Sequence, residues 1–247
     1  MATGTIRVGI GGWVYPDWRQ TFYPPGTTQK RELEYASRAV TAIEINATFH
    51  RLQKPESFRK WRDATPEGFV FAVKGSRYIT NRSDFSTAGE SMGKFVDQGI
   101  AELGDKLGPI NWQLAATKRF DADQIARLCD ALPEQAGGIR LRHAIEPRHE
   151  SFADPAFAAL MHERGIAVVL GESPKFPRIE VASGGFSYAR LMDTQPEIET
   201  GYPPAALDGF AAQAKDRAKD GDVFMFFISG AKERAPAAAM ALIERIG

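Results

Sequence analysis

The chain has 247 residues, enough to bury a substantial core as two small domains or as one large α/β barrel. Lys plus Arg and Asp plus Glu both number 31, so bulk charge does not favour nucleic acid or an acidic membrane surface as a partner. One cysteine excludes an internal disulfide, the opening MATGTIRVGI lacks the charged stretch and apolar run of a secretion signal, and the longest apolar runs fall far short of the roughly 20 residues that span a bilayer. A cytoplasmic location and no membrane partner are expected.

Residues 6–11 alternate, with Ile6, Val8 and Ile10 on one face, and read as a first strand. The loop that follows, WVYPDWRQTFYPPG, is too apolar for a solvated tether and is expected to pack over one end of the domain. Residues 31–39 read as a helix carrying Leu33, Tyr35 and Ala36, and 42–46 (AIEIN) as a second strand with Glu44 and Asn46 on its polar parity. Pro55 opens a helix over 55–64 that buries Phe58 and Trp61. The third strand, 69–74 (FVFAVK), sets Phe69, Phe71 and Val73 opposite Val70, Ala72 and Lys74. A longer helix over 91–103 carries Phe95, Val96, Ile100 and Leu103. Residues 109–115 form a fourth strand with Ile110, Trp112 and Leu114 on one face and Asn111 and Gln113 on the other.

Asp121, with Gln124 three residues on, opens a helix as in a capping box, and Cys129 on its apolar stripe reads as a small buried residue rather than a catalytic thiol. The chemistry concentrates in residues 138–149, GIRLRHAIEPRH, read as the fifth strand. Ile139, Leu141, His143 and Ile145 take one side and Arg140, Arg142, Ala144 and Glu146 the other, until Pro147 stops the pattern. The run ends in Glu146, Arg148 and His149, and charges at the end of a mostly buried strand cost free energy unless they are paired or bind something. His143, on the apolar parity, reads as a hydrogen-bonded core histidine. Asp154 and Pro155 start a helix that ends at Gly165; 167–171, leading to Glu172, is a sixth strand. Residues 186–193 are a seventh, with Tyr188, Arg190 and Met192 on one parity. A helix with Leu207, Phe210, Ala211 and Ala214 precedes the eighth strand, 222–228, and a last helix carries Ala239, Leu242, Ile243 and Ile246.

Eight strand patterns alternating with helices imply parallel strands and right-handed crossovers, and in about 250 residues they suit one closed (β/α)8 TIM-like barrel domain over 1–247 better than an open doubly wound sheet. The glycines of GIGGW lack the spacing of a dinucleotide fingerprint. In such a barrel the inward side of a strand turns polar near the C-terminal mouth, where ligands enter. Glu44, Asn46, Lys74, Gln113, Arg142, Glu146, Glu172 and Arg190 are the residues expected to face the lumen or its rim.

An ammonium there, Lys74, either contacts a carboxylate, binds an anionic ligand or has a lowered pKa suited to nucleophilic work. Arg148 and Arg190 suit bidentate grip of a carboxylate or phosphate, and His149, oriented by Glu146, is a candidate acid or base. These residues point first to a protein that binds, and acts on, a small anionic or hydroxylated metabolite. A second reading is a hydrolase or isomerase using Mg²⁺ or Mn²⁺ on Glu44, Glu146, Glu172 and His149; four histidines with no close-spaced pair argue against a tight zinc site. A third is a non-catalytic ligand or single-strand nucleic-acid binder stacking bases on Trp13, Tyr15 and Trp18, a partner that the neutral charge does not favour. Nothing in the sequence bears on oligomeric state.

The motifs IRVGIGGW, YPDWRQTFYPPG, EINATFHRLQKPESFRKW, GFVFAVKGSRYIT, DKLGPINWQL, LRHAIEPRHESF and FFISGAK, in this order from Ile6 to the C-terminus, resemble the YecE-like family, domain of unknown function 72. The resemblance implies a TIM-barrel-like fold and no assigned reaction. It implies shared polar positions at Trp13, Tyr15, Asp17, Trp18, Glu44, Asn46, Lys74, Gln113, Glu146, Arg148, His149 and Arg190. The chain departs from the family pattern at Ser229, Gly230 and Arg234, and at Met192 and Asn81, where histidine is common. Those departures speak against acid–base chemistry by the loops after strands seven and eight.

Overall fold

The computed structural model describes residues 3–247; Met1 and Ala2, the first residues of the segment read above for a leader, lie outside them. Eight parallel strands close into a barrel: β1 (Ile6–Gly11), β2 (Ala42–Ile45), β3 (Val70–Lys74), β4 (Leu107–Gln113), β5 (His143–Glu146), β6 (Ala167–Glu172), β7 (Phe186–Leu191) and β8 (Asp222–Phe227). Each pairs with its neighbour in sequence, and β8 closes on β1 with Ile6 opposite Val223. This is the α/β TIM-like architecture expected from the alternation of strand and helix patterns.

Side-chain period two divides the barrel walls. Ile43, Ile45, Phe71, Val73, Ile110, Trp112 and Ile145 pack outward against the helices, while Ala42, Val70, Ala72, Ala144, Phe224 and Phe226 fill the lumen. Small residues on β2, β3 and β5 accommodate the two phenylalanines of β8, so the lumen is a packed core below the mouth. Asp121 accepts from the Gln124 backbone N–H at 3.0 Å and Asp154 from that of Ala156 at 2.8 Å, the caps expected. The Gln124 side chain does not close a capping box; it accepts from the Phe85 N–H at 2.9 Å and ties down that loop. Among the described residues no helix is long and apolar enough to cross a membrane.

Two elements depart from the sequence reading. The alternation over 139–146 is two structures: Gln135–Ala136 and Ile139–Arg140 pair as an antiparallel hairpin, and β5 begins only at His143. Gly137 and Gly138 both have positive φ, +54° and +80°, as a two-residue hairpin turn requires, so the signal was the glycine pair itself. The helix expected over 91–103 is broken into Gly89–Asp97 and the 3₁₀ segment Ile100–Lys106. At the break Gly99 takes φ +104°, and a Cβ there would stand 2.8 Å from the Pro55 Cα. Gly99→Ala is therefore expected to cost about 1–3 kcal/mol in urea unfolding, the order of a left-handed strain plus a backbone clash.

Candidate functional site

At the C-terminal ends of the strands the inward parity turns from apolar to charged. Glu44 on β2, Lys74 at the end of β3, Glu146 at the end of β5 and Arg190 on β7 are all buried, and Asn111 and Gln113 join them from β4. Strand register sets the layers, with Lys74 beside Asn111 and Gln113 beside Glu146.

Arg190 is the hub. Its Nη1 donates to Glu146 Oε1 and Oε2 at 2.9 and 2.8 Å, and its Nη2 to Glu44 Oε1 at 3.1 Å. Arg148 adds Nε to Glu146 Oε1 at 2.7 Å. Tyr188 donates its hydroxyl to Glu44 Oε2 at 2.6 Å, and Asn111 Nδ2 bridges Glu146 Oε2 and Glu44 Oε2 at 3.0 and 3.3 Å. Burial acts to raise the Glu146 pKa, but Arg190, Arg148 and Lys74 overturn that and hold its carboxyl below the usual carboxylate range. Burial, then the neighbouring Glu44, pushes the Tyr188 phenol well up, so it is a fixed donor.

Lys74 stands apart. It is only 8% exposed, yet its Nζ has no hydrogen-bond acceptor among the described residues, nor a carboxylate oxygen within 4.0 Å; it lies 4.4 Å from the centre of the Phe49 ring. Burial first, then Arg190, lowers its pKa to about 8, with Glu44 and Glu146 opposing. Lys106 shows how a structural lysine is satisfied: equally buried, it donates to Arg62 O, Thr65 O and Thr65 Oγ1 at 2.6–3.0 Å. Of three cations and two carboxylates in the cluster, both carboxylates are saturated and one cation is left over.

Lys74, Gln113, Arg148 and Arg190 form the floor of a cavity of about 570 Å³, walled by Trp13, Tyr15, Trp18, Asn46 and Phe49 and by Ser229 and Lys232 of the loop after β8. That volume suits a small ligand. Arg148 Nη1 and Gln113 Nε2 also lack acceptors among the described residues, so the floor presents surplus donors. Trp18 is buried, and its Nε1 donates to Lys232 O at 2.7 Å, which fastens the aromatic loop after β1 to the loop after the adjacent strand β8. Trp13 packs edge-on to Trp61 and Phe71.

A protein-family model described as "Protein of unknown function DUF72" matches residues 7–247. The chain belongs to the DUF72 family. Over 159 residues it is 33% identical to UPF0759 protein YunF of Bacillus subtilis, covering 62% of this chain and 54% of that protein. Over 173 residues it is 25% identical to UPF0759 protein YecE of Escherichia coli K12, covering 68% of this chain and 59% of YecE. The matched segment thus spans less than two thirds of either relative. A crystal structure of a DUF72 family protein from Enterococcus faecalis superposes with a TM-score of 0.77 at 16% identity, covering 98% of this chain and 95% of that one, a likeness of fold.

Within this DUF72 barrel the other residues of the sequence reading are distributed as follows. Arg142 has the inward parity but lies at the opposite end, donating to Asp222 at 2.8 Å over the Phe186 and Phe224 rings, because it precedes the first residue of β5. Glu172 is not inward. Val168 and Leu170 pack toward the helices and Glu172 shares their parity, pairing with Arg178 at 3.2 Å. His149 is outside the cavity floor: its Nδ1 accepts from the Ser151 N–H at 3.1 Å and caps the turn Glu150–Phe152. His143 is a core histidine, bonded to Trp112 Nε1 and Pro133 O. Asn111 and Tyr188 were missed. Both had the inward parity, but an asparagine between two large apolar residues and a tyrosine in an apolar strand carry no charge to single them out. Cys129 is buried and its thiol is pushed up to about 12, so alkylation of the native protein at mildly alkaline pH is expected to be far slower than of the unfolded chain, as a mass-spectrometric time course would show.

Proposed function

We propose that this DUF72 member binds a small anionic metabolite in the cavity at the C-terminal mouth, with Lys74 as the group that receives the negative charge and Arg148 Nη1 and Gln113 Nε2 as further donors. The observation that carries the reading is the contrast between Lys74 and Lys106, two lysines of equal burial of which only one has acceptors. The Lys74 ammonium opens onto the cavity with no acceptor from the described residues, and an anion bound there would supply one. Trp13, Tyr15, Trp18 and Asn46 shape the walls, and Glu44, Glu146 and Arg190 fix the positions of the donors. If the ligand undergoes proton transfer there, Lys74 is the group suited to it, since Glu146 is held ionised and His149 does not line the cavity.

The competing readings have less support. Glu44 and Glu146 share the Arg190 guanidinium, Glu172 points elsewhere, and among the described residues no group of three His, Cys, Asp or Glu side chains could hold a metal ion. For stacking of single strands, Trp18 is buried and Trp13 is engaged by other rings. Two other cavities, of about 530 and 950 Å³, lie toward the N-terminal ends of the strands, where Arg217, Arg142 and Arg164 are each ion-paired.

A thermal-shift screen of carboxylates and phosphate esters at constant ionic strength tests the proposal. A ligand at about 100 times its Kd should stabilise the wild type by about 2.7 kcal/mol. The shift should disappear in Lys74→Met and weaken in Arg148→Met. A ligand shift that survives unchanged in both variants would sink the proposal.

A further inference from the structure

We infer that Lys74 captures carbonyl compounds: the ligand is an aldehyde or ketone that also bears a carboxylate or phosphate, and Lys74 Nζ forms an imine with its carbonyl carbon. This rests on the anion-binding reading and adds a covalent step to it. The geometry that supports it is the isolation of the amine. An attacking amine needs a free lone pair, and a carboxylate at hydrogen-bond distance would keep the nitrogen protonated. Both nearby carboxylates bond to Arg190, Arg148, Tyr188 and Asn111, and neither brings an oxygen within 4.0 Å of Lys74 Nζ.

Burial disfavours the charged amine first, and the charged groups around it act in both senses. Arg190 on β7 and Arg148 after β5 disfavour a third positive charge, Glu44 on β2 and Glu146 on β5 oppose them, and Tyr188 on β7 stays neutral. Phe49 offers an apolar face, and His50 lines the same cavity from the turn after β2. The balance leaves the nitrogen half-deprotonated at about pH 8 rather than at the usual 10.5. Arg148 Nη1 and Gln113 Nε2 remain to hold the anionic end.

The step needs no oxidant or reductant. The Nζ lone pair forms the C–N bond, the carbonyl π pair moves to oxygen, and both amine protons leave with that oxygen as one water, giving R–N=C from R–NH₂ and O=C. Protonation of the imine nitrogen then gives an electron sink next to the ligand's α-carbon.

The test uses the full chain with pyruvate for the carboxylate class and dihydroxyacetone phosphate for the phosphate class. Each is incubated with sodium cyanoborohydride, which reduces an imine to a stable secondary amine, and the site is mapped by peptide mass spectrometry. The expected result is one adduct per chain on Lys74 with at least one probe, formed with a midpoint near pH 8. The exposed Lys60 and Lys175 should react far more slowly. Lys74→Arg, whose guanidinium forms no imine under these conditions, should lose the adduct. Lactate and glycerol 3-phosphate, which carry no carbonyl, separate the two claims. Thermal shifts with these and no Lys74 adduct with either probe overturn the imine and leave anion binding standing. No shift and no adduct overturns both, and labelling of Lys74 no faster than of Lys60 or Lys175 overturns the imine by itself.

Discussion

Replacing Arg190 by methionine is expected to lower the free energy of unfolding by about 3–5 kcal/mol, the cost of leaving buried charge without its partner. Glu44 and Glu146 are 0% and 1% exposed, and one guanidinium bonds both. Asn111 and Tyr188 would remain as neutral donors to two carboxylates, with Arg148 reaching only one. Arg190→Lys should recover only part of the loss, because a single ammonium cannot reproduce a planar fork that spans two acids. Equilibrium urea unfolding gives the number, and a loss below about 1 kcal/mol would show that the cluster is not held together in this way. Acid unfolding has a sign fixed by the same contacts. The folded Glu146 pKa is depressed, so its stabilisation is complete above the unfolded value of about 4.3 and is lost as pH falls through the lower folded value. Arg190→Met should therefore weaken the pH dependence below about pH 4 as well as the stability at neutral pH.

Lys74→Met is expected to act in the opposite direction. The folded pKa of Lys74, about 8, lies below its usual 10.5, so between these values the unfolded chain holds a proton that the folded chain has lost. Stability from this group then rises with pH across that window, and the penalty is complete below about pH 8. At about 1.4 kcal/mol per unit the penalty is about 3 kcal/mol, and removing the charge while keeping the length and apolar body of the side chain should relieve much of it at neutral pH. The variant should be the more stable protein at pH 7, with its advantage closing toward pH 10.5, and it should have lost the ligand-induced shift. Urea unfolding across this pH range is the check. A variant less stable than the wild type at pH 7 would mean that Lys74 has a partner after all. A residue that destabilises its own fold is the expected mark of a binding group.

The barrel was legible because period-two alternation in eight short segments, spaced by helical patterns, has few other solutions. The same alternation placed Glu44, Lys74, Gln113, Glu146 and Arg190 on the inner wall, where they are found. It failed where it was extended past a strand's real limits. Arg142 shares the parity of Glu146, but parity does not say at which end of the barrel a residue lies, and the Gly137–Gly138 hairpin moves the start of β5 to His143. Glu172 ends a strand whose apolar residues, Val168 to Leu170, give no polar parity to read. Which cation would be left without a partner could not be read at all. Three basic and two acidic residues at one mouth are compatible with several pairings, and the choice is made by reach: Arg190 spans both acids and Arg148 folds back two residues onto Glu146, while Lys74, on the neighbouring strand β3, stays outside 4.0 Å of either.

The most direct measurement is the titration of Lys74 itself, followed by NMR of ¹³C-labelled lysine side chains and assigned with Lys74→Met. The expected midpoint is near 8 in the free protein, moving upward when a saturating non-carbonyl anion such as lactate or glycerol 3-phosphate binds, since an anion favours the ammonium form. A midpoint at the ordinary 10.5, or one near 8 that no anion moves, would contradict this expectation.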